Sequence, residues 1–307
     1  MEVIKIFCPA TIANLSCGFD VLGVCLDSVG DEMIIEKRAE KGIRIKEIIG
    51  ADLPLAVEEN VAGVAGLALL EKLQPDFGFD ITIYKNIKAG SGIGSSAASA
   101  AGAVYGINAL CGYPLTNLEL IEYAMQGEAL ASGAAHADNV APALLGGFAF
   151  IRSYEPLDII AIEAPEELYA TVIHPQIELK TKDSRSVLKQ TVPLRKAVAQ
   201  CGNLGGLVSG LFLKDYELIG RSLHDEFVEP MRSLLIPNFD KLKQAAYDNG
   251  ALGGGISGAG PSMFALSRGR EVAERVAAAM KEVVANADYE NEIHISAINP
   301  MGIKELK

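Results

Sequence analysis

Residues 88–99 read K-A-G-S-G-I-G-S-S-A-A-S. Gly90, Gly92 and Gly94 alternate with small residues, Ser95 and Ser96 follow, and a run rich in alanine and glycine continues with helical promise. Before it, residues 79–83 have the apolar, β-branched character of a strand. A strand that feeds through bare backbone into a helix N-terminus brings unpaired N–H groups and the positive end of the helix dipole to one point. That is a recipe for holding an anion, and it sets a chain that mixes both element types.

The rest of the chain agrees with such a mixture. Residues 2–8, 32–37, 43–49, 80–84, 146–151, 168–174, 263–266 and 294–298 read as strands. Helical patterns occupy 60–72, 95–109, 118–131, 239–249 and 270–287. Residues 184–229 read as helical, loosened by Gly202, Gly205, Gly206 and Gly210, glycines that allow close helix packing. Recurring strands and helices exclude an all-α or all-β fold and give an α/β (α+β) class. Composition marks a domain division only weakly, near residues 150–165; the expected domains are 1–155 and 156–307.

At 307 residues the chain is long enough for a sizeable core, and half of its residues are apolar. The net charge of −12 argues against nucleic acid as the main partner, while leaving room for a small phosphorylated ligand in a local cluster of donors. Cys8, Cys17, Cys25, Cys111 and Cys201 form no C-x-x-C pair, which suits free thiols in a reducing cytoplasm. No signal peptide and no membrane span are expected.

Three functional readings of the glycine loop compete with one in which it serves packing alone. A Walker loop needs G-x-x-x-x-G-K-[ST], and no lysine follows Gly94. Gly92, Gly94 and Ala97 fit the dinucleotide pattern G-x-G-x-x-A, but a second strand should follow the helix, and residues 112–117 with another helix stand there instead. The third is a phosphate loop in which Ser95 or Ser96 offers a hydroxyl to phosphate or Mg²⁺, an ion that takes hard oxygen ligands and needs a carboxylate beside it.

Other polar residues stand out against apolar surroundings. Glu128 sits among small residues, as a metal ligand or facing solvent. His136, Asp138 and Asn139 form a polar knot, where Asp138 or Asn139 either caps a helix or binds a ligand. Asn14 and Asp20 lie in a stretch with little charge, and Asp20 alone could be a turn residue. Arg185 and Arg232 are isolated cations, each simplest as a surface residue, yet an acidic protein that handles phosphate needs a few of them placed locally. Residues 253–262, G-G-G-I-S-G-A-G-P-S, make a second loop of backbone donors. The two loops with Glu128 and the arginines favour nucleotide-dependent phosphoryl transfer.

In combination these segments resemble the GHMP family of small-molecule kinases. The resemblance is carried by residues 9–23 (P-A-T-I-A-N-L-S-C-G-F-D-V-L-G), 90–99 (G-S-G-I-G-S-S-A-A-S), 136–147 (H-A-D-N-V-A-P-A-L-L-G-G) and 254–266 (G-G-I-S-G-A-G-P-S-M-F-A-L), and it spans nearly the whole chain. It implies two domains, a ribosomal-protein-S5-like one at the N-terminus and a ferredoxin-like one at the C-terminus, with ATP between them and a homodimer as the assembly. It also implies transfer of the ATP γ-phosphoryl to the side-chain hydroxyl of L-homoserine, in threonine biosynthesis. Matched residue by residue, Gly90, Ser91, Gly92, Ile93, Gly94, Ser95 and Ser96 wrap the triphosphate, and Asn60 lies near ribose or base. Ser96 and Glu128 hold Mg²⁺, and Asn14, Asp20, His136, Asp138, Arg185 and Arg232 grip the amino acid. Asp138 then faces the ammonium and the arginines the carboxylate. The expected catalytic set is Glu128, Asn139, Ser96 and Arg185.

Where some relatives have an aspartate base, this chain has Asn139; an amide is no base at neutral pH, so alignment and charge stabilisation carry the reaction. Family members commonly begin the phosphate loop with proline, and this chain has Lys88, which either faces water, the simpler expectation, or adds a cation near the phosphates. The rival readings are another GHMP kinase acting on shikimate or mevalonate, and a non-catalytic ATP-binding protein.

Overall fold

The computed structural model describes residues 1–177, 179, 181–189 and 191–307. β1 (Val3–Ala13), β2 (Leu22–Arg38) and β3 (Gly42–Ile49) lead into α1 (Val61–Leu73), β4 (Gly78–Tyr84), α2 (Ser95–Leu110), α3 (Asn117–Ser132), α4 (Val140–Leu145), β5 (Phe148–Tyr154) and β6 (Leu157–Ile162). Then come β7 (Leu168–Pro175), α5 (Thr181–Ser186), α6 (Leu194–Leu213), α7 (Tyr216–Ser222), α8 (Glu229–Arg232) and α9 (Phe239–Asp248). β8 (Gly253–Ile256), β9 (Met263–Arg268), α10 (Arg270–Val283), β10 (Asn291–Ala297) and β11 (Lys304–Glu305) complete the chain.

The first sheet has seven strands in the order β11-β1-β2-β4-β3, with the β5–β6 hairpin attached to β2. Alternation places one apolar row across it: Ile4 opposes Ile35, Ile35 opposes Ile81, and Ile81 opposes Ile45, all buried. On the other side of the pleat, exposed charges pair across strands, as in Lys5–Glu32 at 2.6 Å and Lys46–Glu36 at 2.9 Å. The apolar face is covered by α2, whose small residues let it lie close to the strands. A Cβ on Gly102 would fall 2.5 Å from Cys8 Sγ, and one on Gly106 2.2 Å from Ile35 Cδ1, so these two positions, four apart on one helix face, must lack side chains. α1 and α3 pack beside and over α2.

The second sheet is antiparallel in the order β10-β7-β9-β8. Numbered in chain order that is 4-1-3-2, the ferredoxin-like arrangement, with α9 and α10 on one face. Phe239, Leu242, Val276 and Met280 fill that side. On the opposite face, Ala170, Val172, Phe264 and Leu266 join Leu207, Leu211 and Ile219 in the same core that runs beneath the first sheet. Among the described residues, no helix is long and apolar enough to cross a membrane.

Several sequence expectations shift. The first strand continues to Ala13, and β2 begins at Leu22 rather than at residue 32, because its early part pairs with β1 and β5 through Gly23 and Val24. The 253–262 loop is shorter than read, since β8 takes Gly253–Ile256. The helical stretch 184–229 breaks into α5, α6, α7 and α8; Lys214 ends α6 in the left-handed region, and the Asp215 side chain caps α7. Gln190 in that stretch lies outside the described residues. Of its four glycines, Gly206 and Gly210 do make a close approach, to Ser222 and Ile219 of α7, whereas Gly202 and Gly205 face open space. The division expected at residue 155 falls later: β6 pairs with β5 in the first sheet, so the second unit begins after Ile162, and the chain returns to the first sheet through β11.

Candidate active site

A cleft of about 1050 Å³ lies between the two units. Its N-terminal wall includes the loop before α2, with Gly90, Gly92, Gly94, Ser95 and Ser96; its C-terminal wall includes His174, Gln176, Arg185, Arg232 and the loop 258–260.

The loop's geometry follows from where its carbonyls go. The Thr11 N–H donates to Ile93 O (3.1 Å), the Ser262 N–H to Ser91 O (3.3 Å), and Ser257 Oγ to Gly92 O (2.7 Å). In a trans peptide the N–H points opposite to the C=O, so the amides of Gly92, Ile93 and Gly94 turn away from those three donors. Gly90, Gly92 and Gly94 all have positive φ. Gly94 ends the loop as the N-cap of α2 at φ 73°, with no side chain capping the helix, so the first-turn amides keep their capacity for a ligand. A Cβ there would sit 2.1 Å from Thr11 Oγ1 and 3.1 Å from Asn139 Oδ1.

Behind the loop stands an ion pair with no local sequence signal. Lys85, at the end of β4, pairs with Asp31 of β2, and both side chains are almost wholly buried. Lys85 Nζ also donates to Ser95 O (2.9 Å) and Ser99 Oγ (3.1 Å), and Asp31 Oδ1 accepts from the amides of Asn86 and Ile87 (2.8 Å each). Burial pushes the Asp31 carboxyl upward, opposed by Lys85. The pair anchors both the start of the loop and the first turn of α2.

Ser96 Oγ donates to Glu128 Oε2 at 2.8 Å, joining α2 to α3. Glu128 is buried, and that burial raises its carboxyl to about 7. Two hard oxygens side by side, one of them a carboxylate that would gain from a cation, fit a Mg²⁺ ion that draws its remaining ligands from phosphate and water. Among the described residues no group of three or more His, Cys, Asp or Glu side chains is placed to hold a metal.

The polar knot and the arginines meet at the other end of the cleft. Arg185 Nη2 lies 3.2 Å from Asp20 Oδ1 and 3.0 Å from His136 Nδ1, tying α5 to the N-terminal unit. His136 is held below its usual range, mainly by burial, which Asp20 opposes and Arg185 reinforces. Asp138 is buried and pushed up to about 8 by desolvation and by the charges of Asp20 and Glu128. Tyr154 braces this corner: its hydroxyl donates to Asp20 O (2.7 Å) and accepts from the Ala137 N–H (3.2 Å). Arg232, 2% exposed, donates from Nε to Ser184 O (2.9 Å) and from Nη1 to Gly258 O (3.1 Å), with its guanidinium 5.3 Å from the Phe19 ring centroid. Burial lowers it to about 10. Asn14, at φ 71°, accepts the Asp20 N–H (3.0 Å) and donates to Gly258 O (2.7 Å). Asn139 Oδ1 accepts from Thr11 Oγ1 at 2.7 Å, and neither Asp138 nor Asn139 caps α4 through its side chain.

Thus Asn14, Asp20, Ser96, Glu128, His136, Asp138, Asn139, Arg185 and Arg232 all line one cleft with four of the glycine-loop positions. Others do not. Asn60 caps α1, accepting from the amides of Ala62 (2.9 Å) and Gly63 (3.3 Å) and donating to Pro54 O (2.8 Å); both ends of its amide are used by the fold, and Val61 lines the cleft in its place. Ser91 and Ile93 are buried under the loop, not on its cleft side. Lys88 is exposed, and it also donates to Gln176 Oε1 across the cleft. Thr11, Asp31, Lys85, Tyr154, His174 and Gln176 were not visible as site residues in the sequence, since each is an ordinary polar residue whose partner is distant along the chain.

Comparison with known proteins agrees with this layout. Residues 60–147 match the family model of the GHMP kinase N-terminal domain, and residues 193–286 match that of the C-terminal domain. The homoserine kinase of Chlorobaculum tepidum is 44% identical over 318 residues, covering 99% of this chain and 98% of that protein. The crystal structure of homoserine kinase from Cytophaga hutchinsonii superposes with a TM-score of 0.96 at 48% identity, over 100% of this chain and 98% of the other. Mevalonate kinase of Methanococcus jannaschii, 16% identical with a TM-score of 0.69 over 97% of this chain and 98% of the other, shares the fold. With both family models matched in order and full-length relatives at this level of identity, the chain belongs to the GHMP kinase family, in its homoserine kinase branch.

Proposed function

We propose that this protein transfers the γ-phosphoryl group of ATP to the side-chain hydroxyl of L-homoserine, giving O-phospho-L-homoserine and ADP, a step of threonine biosynthesis. The observation that carries the reading is the convergence in one cleft of a loop with amides turned toward an anion and, next to it, a zwitterion's complement. Asp20 and Asp138 supply negative charge for an ammonium, and Arg185 and Arg232 supply guanidinium groups for a carboxylate.

In this reading the loop amides and the N-terminus of α2 hold the phosphates. Ser96 and Glu128 hold Mg²⁺, which when bound neutralises phosphate charge as it shifts toward the leaving group. Asp138, pushed up to about 8, becomes fully ionised when an ammonium approaches it. Asn139, fixed by Thr11 beside Gly94, orients the hydroxyl without removing its proton. The hydroxyl oxygen then bonds to the γ-phosphorus as the bond to the β,γ-bridging oxygen breaks, and the hydroxyl proton passes late to an oxygen of the transferred phosphoryl group. A loose transition state asks for alignment and charge more than for a base. The step is a single in-line displacement with no phosphoenzyme, so the configuration at phosphorus inverts.

Coupled ADP release, measured with ATP and Mg²⁺ in the presence of L-homoserine, shikimate or mevalonate, tests this. Release dependent on L-homoserine is expected. Nucleotide binding without turnover would support a non-catalytic protein, and preference for a hydroxy acid lacking an amino group would overturn the role given to Asp138.

A further inference from the structure

One corner of the cleft plays no part in that scheme. His174 closes β7, is 3% exposed, and lines the C-terminal wall. Its Nδ1 lies 3.1 Å from Ser262 Oγ, while its Nε2 is buried with no partner among the described residues. Burial, with the nearby charges of Lys88 and His294, lowers the ring to about 4, so one ring nitrogen carries a proton and the other does not.

The Nδ1–Ser262 Oγ contact accommodates a hydroxyl that donates to Nδ1. Ser262 spends its N–H on Ser91 O and its C=O on the Ser257 N–H, and among the described residues its hydroxyl meets only the imidazole. A hydroxyl that donates to Nδ1 leaves the ring proton on Nε2. In that tautomer His174 presents a buried N–H donor that no described residue accepts. Such a donor gave up its hydration on folding and would regain a hydrogen bond from an acceptor brought to this wall of the cleft. Near it, Lys88 at the start of the phosphate loop, itself exposed, donates to Gln176 on the C-terminal wall. Ser91, whose carbonyl Ser262 holds, has a buried hydroxyl that is likewise without a partner among the described residues. The unused donor thus sits on the seam between the phosphate loop and the C-terminal wall.

We propose that His174 is a nucleotide-binding residue, whose Nε2–H donates to an oxygen of the nucleoside triphosphate lying along the loop. This rests on the assignment of the cleft to ATP.

Two substitutions separate the ring's two ends. His174→Asn retains an amide near the Nδ1 position, facing Ser262, and loses the donor at Nε2; His174→Gln retains a donor near Nε2. The KM for MgATP should rise about tenfold in His174→Asn, with kcat and the KM for L-homoserine within twofold of the unmodified protein, and should stay within threefold in His174→Gln. An unchanged KM for MgATP in His174→Asn overturns the proposal, as does equal damage in both variants, which is the mark of a purely structural histidine. Failure of the unmodified protein to release ADP with L-homoserine would instead overturn the functional reading. Should either variant fold poorly, the imidazole ¹⁵N resonances of the unmodified protein, which has 4 histidines, decide the matter: ADP should shift the Nε2 signal of His174, and an unmoved signal overturns the proposal.

Discussion

Glu128 shows how a single burial decides chemistry. Water's withdrawal raises its carboxyl from 4.5 to about 7, and the Ser96 hydroxyl only partly offsets this. Between those pH values the folded protein keeps a proton that the unfolded chain has released. The contribution to stability is therefore present below pH 4.5 and is lost as pH rises through 7. Glu128→Gln, which cannot ionise, should melt near the unmodified protein at pH 5 and above it at pH 8 when no nucleotide or divalent cation is added. The gap is on the order of 3 kcal/mol. Melting curves over that range check the sign, and a gap that shrinks with pH would refute it. The same variant should lose activity by about two orders of magnitude or need far more Mg²⁺; wild-type turnover at ordinary Mg²⁺ would remove Glu128 from the metal site. Arg185 makes the complementary case. Its guanidinium reaches from α5 to Asp20 and His136, so Arg185→Met should raise the KM for L-homoserine by on the order of 100-fold, with the KM for ATP within twofold. Equal rises in both would show that Arg185 shapes the whole cleft rather than the amino-acid end.

The loop before α2 works because two other elements, β1 and the loop between β8 and β9, hold its carbonyls and one buried ion pair holds its base. Removing one partner of that pair leaves the other as an uncompensated charge. Lys85→Met should therefore destabilise the protein by about 3–5 kcal/mol in urea unfolding, since Asp31 is 0% exposed and would keep only the amides of Asn86 and Ile87, with no countercharge. It should also raise the KM for ATP, because Lys85 Nζ fixes Ser95 O at the start of α2. A loss below about 1 kcal/mol would mean that Asp31 takes up a proton at little cost. The glycine spacing and the small residues of α2 announced this loop in the sequence, because bare backbone is itself the functional group. The Asp31–Lys85 pair was not legible: one residue lies in β2, the other 54 positions later just past the end of β4, and only the β2–β4 register brings them together. The early part of β2 was hidden for a similar reason. Residues 22–31 contain Gly23, Asp27, Ser28 and Gly30, a local turn signature that strand pairing overrides, and Gly23 is needed because Asp138 O would lie 1.7 Å from its Cβ.

At the scale of the molecule, neither half closes on its own. The N-terminal unit supplies the phosphate loop, Glu128 and the polar knot; the C-terminal unit supplies both arginines and the serines that hold the loop's carbonyls. The chain then returns to finish the first sheet, a step no local pattern foretold, because β11 is only two residues long. Asn299 organises that return. It is 0% exposed, its N–H donates to Cys25 O (3.0 Å), and its C=O accepts from the Gly147 N–H (2.7 Å). Its side chain donates to Gly302 O (2.8 Å) and accepts the amides of Met301 (2.9 Å) and Gly302 (3.2 Å), setting the turn from which the Ile303 N–H reaches Ala143 O of α4 (2.9 Å). Asn299→Ala leaves three backbone groups of that turn without partners and should cost about 2–4 kcal/mol. Because one apolar core runs from beneath the first sheet into the near face of the second, this loss should appear as an earlier but still single unfolding transition, read alike by urea melts of fluorescence and far-ultraviolet circular dichroism. Two separated transitions would show that the C-terminal sheet stands alone once the tail is loosened. An unmoved midpoint would show that β11 and Ile303 hold the tail without the asparagine.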